Sequence, residues 1–226
     1  MLEQELDTLL LDQMNIPADE LHVFRHQEDE LIKMMMIYNC AIRRVKTKFQ
    51  VLNDELSITR QRNPIEFIKS RIKQPKSISS KLKRKGLPVT VESVMKNLSD
   101  VAGIRVICAF IDDIYKVADM FTAQDDIELI KRKDYIKHPK MNGYRSLHLI
   151  VEVPVFFSDH KEEVRVEVQI RTIAMDFWAS LEHQLKYKKD IDDAENIIYE
   201  LRACADVINR TDYHMQSLRD RIVESM

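Results

Sequence analysis

The spacing of apolar residues predicts long helices near both ends of the chain. Between residues 27 and 60, apolar side chains recur at alternating intervals of four and three, the heptad pattern of a helix with one narrow apolar stripe. Each such stripe needs a partner within the chain or on another subunit, and we expect at least one to pack within the chain. A shorter helix is predicted over residues 2–14, before Pro17. The second long stripe comprises Ile197, Leu201, Cys204, Ile208, Thr211, Met215, Leu218 and Ile222.

The middle of the chain has shorter apolar runs that predict a β-sheet. Residues 101–110 form a continuous run rich in β-branched side chains, which is typical of a buried strand. Residues 164–172 alternate apolar and polar side chains, so this strand has one apolar and one polar face. Further strands are predicted over residues 127–133 and 144–157, and helices over residues 114–123 and 174–187. Helices around a β-rich centre indicate an α/β or α+β fold.

Composition narrows the class of protein. The chain has 226 residues, of which 32% are charged and 45% hydrophobic, as in ordinary globular proteins. Its three cysteines form no C-x-x-C pair, which argues against a disulfide framework or a zinc knuckle and favours a reducing compartment. No apolar run is long enough to span a membrane, and the N-terminus lacks the basic region of a signal peptide. We therefore expect a cytoplasmic protein with no membrane partner.

Basic residues are concentrated between Lys69 and Lys85. This segment has eight lysines and arginines and no acid, although the whole chain carries a net charge of −2. One concentrated basic segment favours a local anionic ligand, whereas a DNA-binding protein is more often basic over a whole face. A solvated helix face and an RNA-binding patch remain alternatives. The chain has no glycine-rich phosphate loop, so any phosphates must be held by side chains and metal.

The segment that follows the Asn142-Gly143 turn carries an unusual polar face. Tyr144, Ser146 and His148 alternate with apolar residues and so share one face of a strand. An aromatic ring, a hydroxyl and an imidazole together suit the stacking and hydrogen bonding of a nucleobase and its sugar. The alternative for His148 is a partly buried histidine with a structural role.

Two carboxylates and one arginine are the other candidate residues of a functional site. Asp100 precedes the strand of residues 101–110, and a carboxylate at a strand edge is suited to Mg²⁺, although a turn aspartate would look the same. Arg105 lies inside that apolar strand and needs an anionic or π partner. A straight strand would direct Asp100 and Arg105 to opposite faces, unless a bulge at Gly103 redirects one of them. Glu167 lies on the polar face of VEVQIRT, which by itself is best explained as a face in water.

Four motifs in order, SDVAGIRV, NGYRSLHL, VEVQIRT and FWASLEHQLKYK, resemble the synthetase domain of the RelA/SpoT family. The resemblance extends from about Pro64 to Lys188 and is greatest to the single-domain small alarmone synthetases. It implies transfer of the β,γ-pyrophosphate of ATP to the 3′-hydroxyl of GDP or GTP, with Mg²⁺ as cofactor and AMP released, which makes the alarmones ppGpp and pppGpp of the stringent response. It also implies a nucleotidyltransferase-like mixed β-sheet of about five strands flanked by helices, and a homotetramer built from the terminal helices.

The resemblance also implies a role for each matching residue. Asp100 and Glu167 would be the catalytic residues and the metal ligands, with Glu167 close to the 3′-hydroxyl as a possible base. Asp176 stands where some relatives carry asparagine, so the base preference could differ. The ATP-binding residues would be Arg71, Lys73, Lys81, Arg84 and Arg105. The GDP- or GTP-binding residues would be Tyr144, Arg145, His148, Gln169 and Asp176.

These features divide the chain into three expected segments. Residues 1–62 are the N-terminal helical region, residues 63–188 the catalytic core, and residues 189–226 a C-terminal helix for packing or oligomerisation. A nucleotidyltransferase is one competing hypothesis. Such an enzyme generally needs a pair of close acidic ligands such as D-x-D, and the adjacent Asp112 and Asp113 meet this need poorly. A non-catalytic RNA-binding module that uses the basic segment is the other.

Overall fold

The computed structural model describes residues 28–59, 63–186 and 194–225, so the helix predicted over residues 2–14 lies outside the described residues. The helices are α1 (Glu28–Thr59), α2 (Pro75–Arg84), α3 (Val91–Asn97), α4 (Ile111–Thr122), α5 (Ile173–Lys186) and α6 (Ala194–Glu224). The strands are β1 (Ile65–Ile72), β2 (Ala102–Cys108), β3 (Glu128–Asp134), β4 (Leu147–Phe156) and β5 (Lys161–Thr172). None of the helices in these ranges is long and apolar enough to cross a membrane.

The five strands form one mixed sheet in the order β1-β2-β5-β4-β3. Strands β2 and β5 pair in parallel, and the other neighbours pair antiparallel. The predicted mixed sheet with flanking helices is therefore confirmed. The edge strand β1 was not predicted as a strand, because only Ile65 is buried in it and the rest shows no alternation of apolar and polar positions.

Helix α1 packs within the chain, against the sheet and α4. Its apolar stripe belongs to the main hydrophobic core, and Val45 and Phe49 are fully buried. The ring of Phe49 stacks on that of Phe121 in α4, with 4.2 Å between the ring centroids. The expectation that at least one stripe packs within the chain is confirmed by the stripe of α1. The three-segment division of the chain stays a prediction.

Helix α6 packs within the chain through only part of the stripe that its heptad pattern predicts. Ala205 and Asp212 are buried, whereas Cys204, Thr211 and Met215 of the predicted stripe are exposed. Leu201 and Ile208 of that stripe pack at the edge of the cluster around Trp178 and Ala205. Small and polar residues, which an apolar pattern ignores, make further contacts, and a partner for the exposed part of the stripe stays a prediction. Asp212 Oδ2, for example, accepts a hydrogen bond of 2.5 Å from the hydroxyl of Thr172 at the end of β5.

Removing the Phe49 ring tests the contribution of α1 to the core. We expect Phe49→Ala to lower the free energy of unfolding by about 3–5 kcal/mol, because the cavity cannot be filled by its neighbours. Val51→Ala is the matched control on the same helix, since Val51 is 58% exposed, and it should change that free energy by less than about 0.5 kcal/mol. Urea unfolding followed by circular dichroism measures both, and equal effects would contradict the packing described for α1.

Candidate active site

A cleft of about 300 Å³ opens on the polar face of the sheet. Strand register explains its lining, because Gly103 of β2 lies opposite Arg71 of β1 and Glu167 of β5. Side chains at these positions point to one face, and the absence of a side chain at Gly103 leaves space between its two neighbours. The lining residues are Lys69, Ser70, Arg71, Asp100, Gly103, Ile104, Arg105, Glu167 and Gln169.

Asp100 enters this cleft from the turn that precedes β2. Its Oδ2 accepts hydrogen bonds from Lys73 Nζ at 2.8 Å and from Lys81 Nζ at 2.6 Å. Its Oδ1 is buried and has no hydrogen-bond partner among the described residues. The hypothesis of a bulge at Gly103 is wrong, since the β1–β2 register is continuous there and shifts only between Ile65 and Phe67. Asp100 needs no bulge because it precedes the strand, where the alternation of faces does not apply.

The carboxylate of Glu167 is held by two neighbours on the same face. Gln169 Nε2 donates a hydrogen bond of 2.9 Å to Oε2. His148 Nδ1 lies 3.4 Å from Oε1, because β4 pairs with β5 in a register that places His148 opposite Gln169. Burial raises the pKa of Glu167, but the contact with His148 and the hydrogen bond from Gln169 outweigh it, so the pKa is lowered below its usual value.

The hydroxyl of Tyr144, the other partner of His148, determines which ring nitrogen carries the proton. The Tyr144 hydroxyl lies 2.8 Å from His148 Nε2 and accepts a 2.6 Å hydrogen bond from Arg171 Nη2. Having accepted from Arg171, the hydroxyl donates its single proton to Nε2, which leaves the imidazole proton on Nδ1, toward Glu167. Burial lowers the pKa of His148 and outweighs the contact with Glu167, which raises it, so the pKa lies below its usual value.

Arg171 and Asp176 connect Arg105 of the cleft to Tyr144. Asp176 Oδ1 lies 3.0 Å from Arg171 Nη1 and 3.0 Å from Arg105 Nη1. Arg171 Nη2 also donates to Gln169 Oε1 at 2.8 Å. The free-energy cost of burying Arg171 of β5 and Asp176 of α5 is therefore compensated by paired charges and hydrogen bonds. A continuous polar network runs from Arg105 through Asp176 and Arg171 to Tyr144.

Two predicted residues lie outside this arrangement. Arg84 is exposed at the last turn of α2 and does not line the cleft. Arg145 turns toward α6, where Nη2 donates to Asp206 at 2.9 Å and Nη1 to the carbonyl of Ala205 at 3.3 Å. Their binding roles stay predictions, and the structure does not bring either side chain to the cleft.

Comparison with known proteins identifies the family. A model described as a region found in RelA/SpoT proteins matches residues 70–192, more than half of the chain. The chain belongs to the RelA/SpoT family. It is 43% identical over 188 residues to GTP pyrophosphokinase YwaC of Bacillus subtilis, covering 83% of this chain and 90% of that protein. It is 34% identical to GTP pyrophosphokinase YjbM of the same organism, covering 85% and 90% respectively.

Solved structures agree with this family assignment. The chain matches small alarmone synthetase 1 of Bacillus subtilis bound to its product pppGpp with a TM-score of 0.78 and 33% identity, covering 85% of this chain and 98% of that one. It matches small alarmone synthetase 2 of the same organism with a TM-score of 0.74 and 42% identity, covering 82% and 97%. The fold and activity class that the four sequence motifs implied are therefore confirmed.

Sequence reasoning about this RelA/SpoT chain missed two cations at the site. Arg171 was visible as a polar-face residue of VEVQIRT, but nothing in the pattern indicated that it is buried and bonded to three partners. Lys140 Nζ lies 4.6 Å from the ring centre of Tyr144 and 4.9 Å from that of Tyr135. No sequence signal distinguished Lys140, because its neighbours depend on how the loop before β4 folds.

The contact between His148 and Glu167 predicts a change in pH dependence. The carboxylate of Glu167 is the form able to accept a proton, so activity should be present above its pKa and lost as the pH falls through that pKa. His148→Phe keeps a buried ring but removes the Nδ1 contact, so we expect the acidic limb of the kcat/KM profile to move up by about one pH unit. His160→Phe, in the β4–β5 turn, is the control. A limb that stays in place or moves to lower pH in His148→Phe would contradict this assignment.

Proposed function

We propose that this chain is a GTP pyrophosphokinase that transfers the β,γ-pyrophosphate of ATP to the 3′-hydroxyl of GDP or GTP, releasing AMP and forming ppGpp or pppGpp. The single observation that carries this proposal is that Asp100 and Glu167 line one cleft with Arg71 and Arg105. Two carboxylates among fixed cations suit the transfer of a charged pyrophosphoryl group, which depends mainly on positioning and charge neutralisation. The relatives named GTP pyrophosphokinase support the same reaction.

Mg²⁺ is the cofactor that fits the carboxylates of the cleft. The buried, unpartnered Oδ1 of Asp100 is a hard oxygen ligand that lacks a protein donor among the described residues. Glu167 would supply the second carboxylate, and the remaining ligands would be waters and substrate phosphates, since the described residues contain no group of three or more metal-binding side chains. When bound, the ion would neutralise charge on the phosphates.

The donor half of the site is formed by β1, α2 and β2. Arg71 and Arg105 lie on the same face of neighbouring strands and flank the gap at Gly103, so two guanidinium planes are available to stack on adenine. Lys73 and Lys81, bonded to Asp100, are placed to exchange that carboxylate for ATP phosphates. Arg84 would reach the phosphates only if its side chain adopted a different conformation.

The acceptor half comprises Tyr144, His148, Gln169 and Asp176. Tyr144 offers its ring to the guanine, and Lys140, above that ring, is a cation available to the acceptor phosphates. Asp176 already forms ion pairs with two arginines, so it acts on the base mainly by fixing Arg105 and Arg171. Arg145 would contact the acceptor phosphates only by leaving α6.

The proton of the attacking 3′-hydroxyl passes to Glu167 in this proposal. A carboxylate with a lowered pKa is ionised at neutral pH and so can accept that proton as the hydroxyl oxygen attacks the β-phosphorus. The Nδ1–H of His148 and the amide of Gln169 orient the carboxylate and stabilise its charged form. The P–O bond to AMP breaks as the new bond to the ribose oxygen forms.

Assembly and location belong to the same proposal. Exposed apolar side chains on α5 and α6, among them Phe177, Met215 and Ile222, support the assembly of several copies into a homotetramer through terminal helices. The three cysteines without a C-x-x-C pair support a reducing, cytoplasmic location.

Incubation with ATP, Mg²⁺ and either GDP or GTP tests the reaction. We expect AMP and a more highly phosphorylated guanosine nucleotide, separated by ion-exchange chromatography. Glu167→Gln should lower kcat by at least about 100-fold, because it removes the proton acceptor, and Asp100→Asn should also lower it strongly. Release of pyrophosphate with a nucleotidyl product would indicate a nucleotidyltransferase instead.

Glu163→Gln is the matched control for Glu167→Gln. Glu163 lies on the same strand and the same face, four residues earlier, but is exposed and paired with Lys161. Its substitution should leave kcat unchanged. Full activity in both Glu167→Gln and Asp100→Asn would refute the site assignment. A protein that binds RNA but forms neither ppGpp nor pppGpp would favour the non-catalytic alternative.

A further inference from the structure

The loop that carries Tyr144 packs closely against the C-terminal helix. We define the Tyr144 loop as residues 140–146, between β3 and β4. Gly143 in this loop has φ +87° and faces α6 so closely that a β-carbon there would lie 2.5 Å from the β-carbon of Ala205. It would also lie 3.2 Å from Arg202 Cα. Only glycine allows both this backbone conformation and this approach.

Arg145 fastens the same loop to the same helix. Its side chain is only 12% exposed, and it bridges the carbonyls of Gly143 and Ala205 at 3.1 and 3.3 Å and the carboxylate of Asp206 at 2.9 Å. One guanidinium thus bonds to both the loop and α6, so the two cannot separate without breaking several hydrogen bonds.

Aromatic packing continues the contact to Tyr144 itself. Trp178 of α5 donates from Nε1 to the carbonyl of Leu201 in α6 at 3.0 Å, and its ring centre lies 6.5 Å from that of Tyr144. Trp178 and Ala205 form a small apolar cluster with Tyr144, Leu201 and Ile208 at its edge. The position of the Tyr144 ring therefore depends on packing against α6, and the position of its hydroxyl on the hydrogen bond from Arg171.

We propose that α6 positions the Tyr144 loop for the acceptor nucleotide, with Ala205 and Asp206 as positioning residues that act through Gly143 and Arg145. The proposal rests on the proposed function, since it assigns the acceptor to this loop. Neither residue lines the cleft between Asp100 and Glu167. Loss of the α6 contact should therefore weaken acceptor binding and leave the binding of ATP and the chemical step unchanged.

Asp206→Ala is the decisive variant, because the Asp206 side chain is 52% exposed and its loss should not prevent folding. With ATP saturating and GDP or GTP varied, we expect the acceptor KM to rise about two- to fivefold, within the range for loss of one partly exposed ion pair. The KM for ATP and kcat should remain unchanged, a pattern that general destabilisation would not produce.

Arg219→Ala provides the matched control on the same helix. Arg219 Nη1 pairs with Asp112 of α4 at 2.7 Å, and its side chain also contacts Asp220 and the ring of Phe110, so this variant removes at least as many contacts of α6, all remote from the Tyr144 loop. Its acceptor KM should equal that of the wild type. An equal rise in both variants would mean that α6 is merely loosened, and would overturn the proposal.

The direction in which Asp206→Ala changes the acceptor KM distinguishes the remaining explanations. If Arg145 instead binds the acceptor phosphates, its release from Asp206 would lower the acceptor KM, and a lowered or unchanged value overturns the proposal. Gly143→Ala, which forces the loop away from Ala205, should raise the acceptor KM further than Asp206→Ala does. A wild-type protein that makes no AMP from ATP with either GDP or GTP would contradict the proposed function, whereas an active wild type with an unaffected Asp206→Ala contradicts only this inference.

Discussion

The parallel pairing of β2 with β5 is the constraint on which the rest of the site depends. Its register places Gly103 beside Glu167 and Arg105 beside Gln169, while the antiparallel pairing of β1 places Arg71 on the other side of Gly103. One face of three strands thereby carries carboxylate, amide and guanidinium groups around a gap that has no side chain. The opposite face of β2 and β5 is apolar and is covered by α1 and α4, so the polar face of these two strands cannot shift register without exposing the core.

Charge compensation is the second requirement of this arrangement. Asp100 is paired with two lysines from the basic segment, and Asp176 with two arginines from the sheet. Unpaired, these partly or fully buried carboxylates would cost free energy, so the cations that would receive phosphates also stabilise the free site. Nucleotide binding then becomes an exchange of one anion for another, which costs less than desolvating bare lysines and arginines.

The acceptor side depends on a contact that is remote in sequence. Tyr144 is held by Arg171 on one side and by the Trp178–Ala205 cluster on the other, and α6 supplies half of that cluster. The C-terminal helix thus belongs to the site in a physical sense, although it contributes no side chain to the cleft. If α6 positions the Tyr144 loop as we propose, an event that displaces α6 would alter the binding of the acceptor nucleotide.

The sequence by itself determined the long helices, most strands and the identity of the two cleft carboxylates, because local periodicity and four ordered motifs encode them. It also placed Arg71, Arg105 and Gln169 among the site residues, and all three line the cleft. Only the tertiary structure revealed the edge strand β1, the packing face of α6, the burial of Arg171 and the turn of Arg145 toward Asp206. These features depend on contacts between residues far apart in the chain, and a pattern of neighbouring residues carries no information about which distant groups will compensate a buried charge.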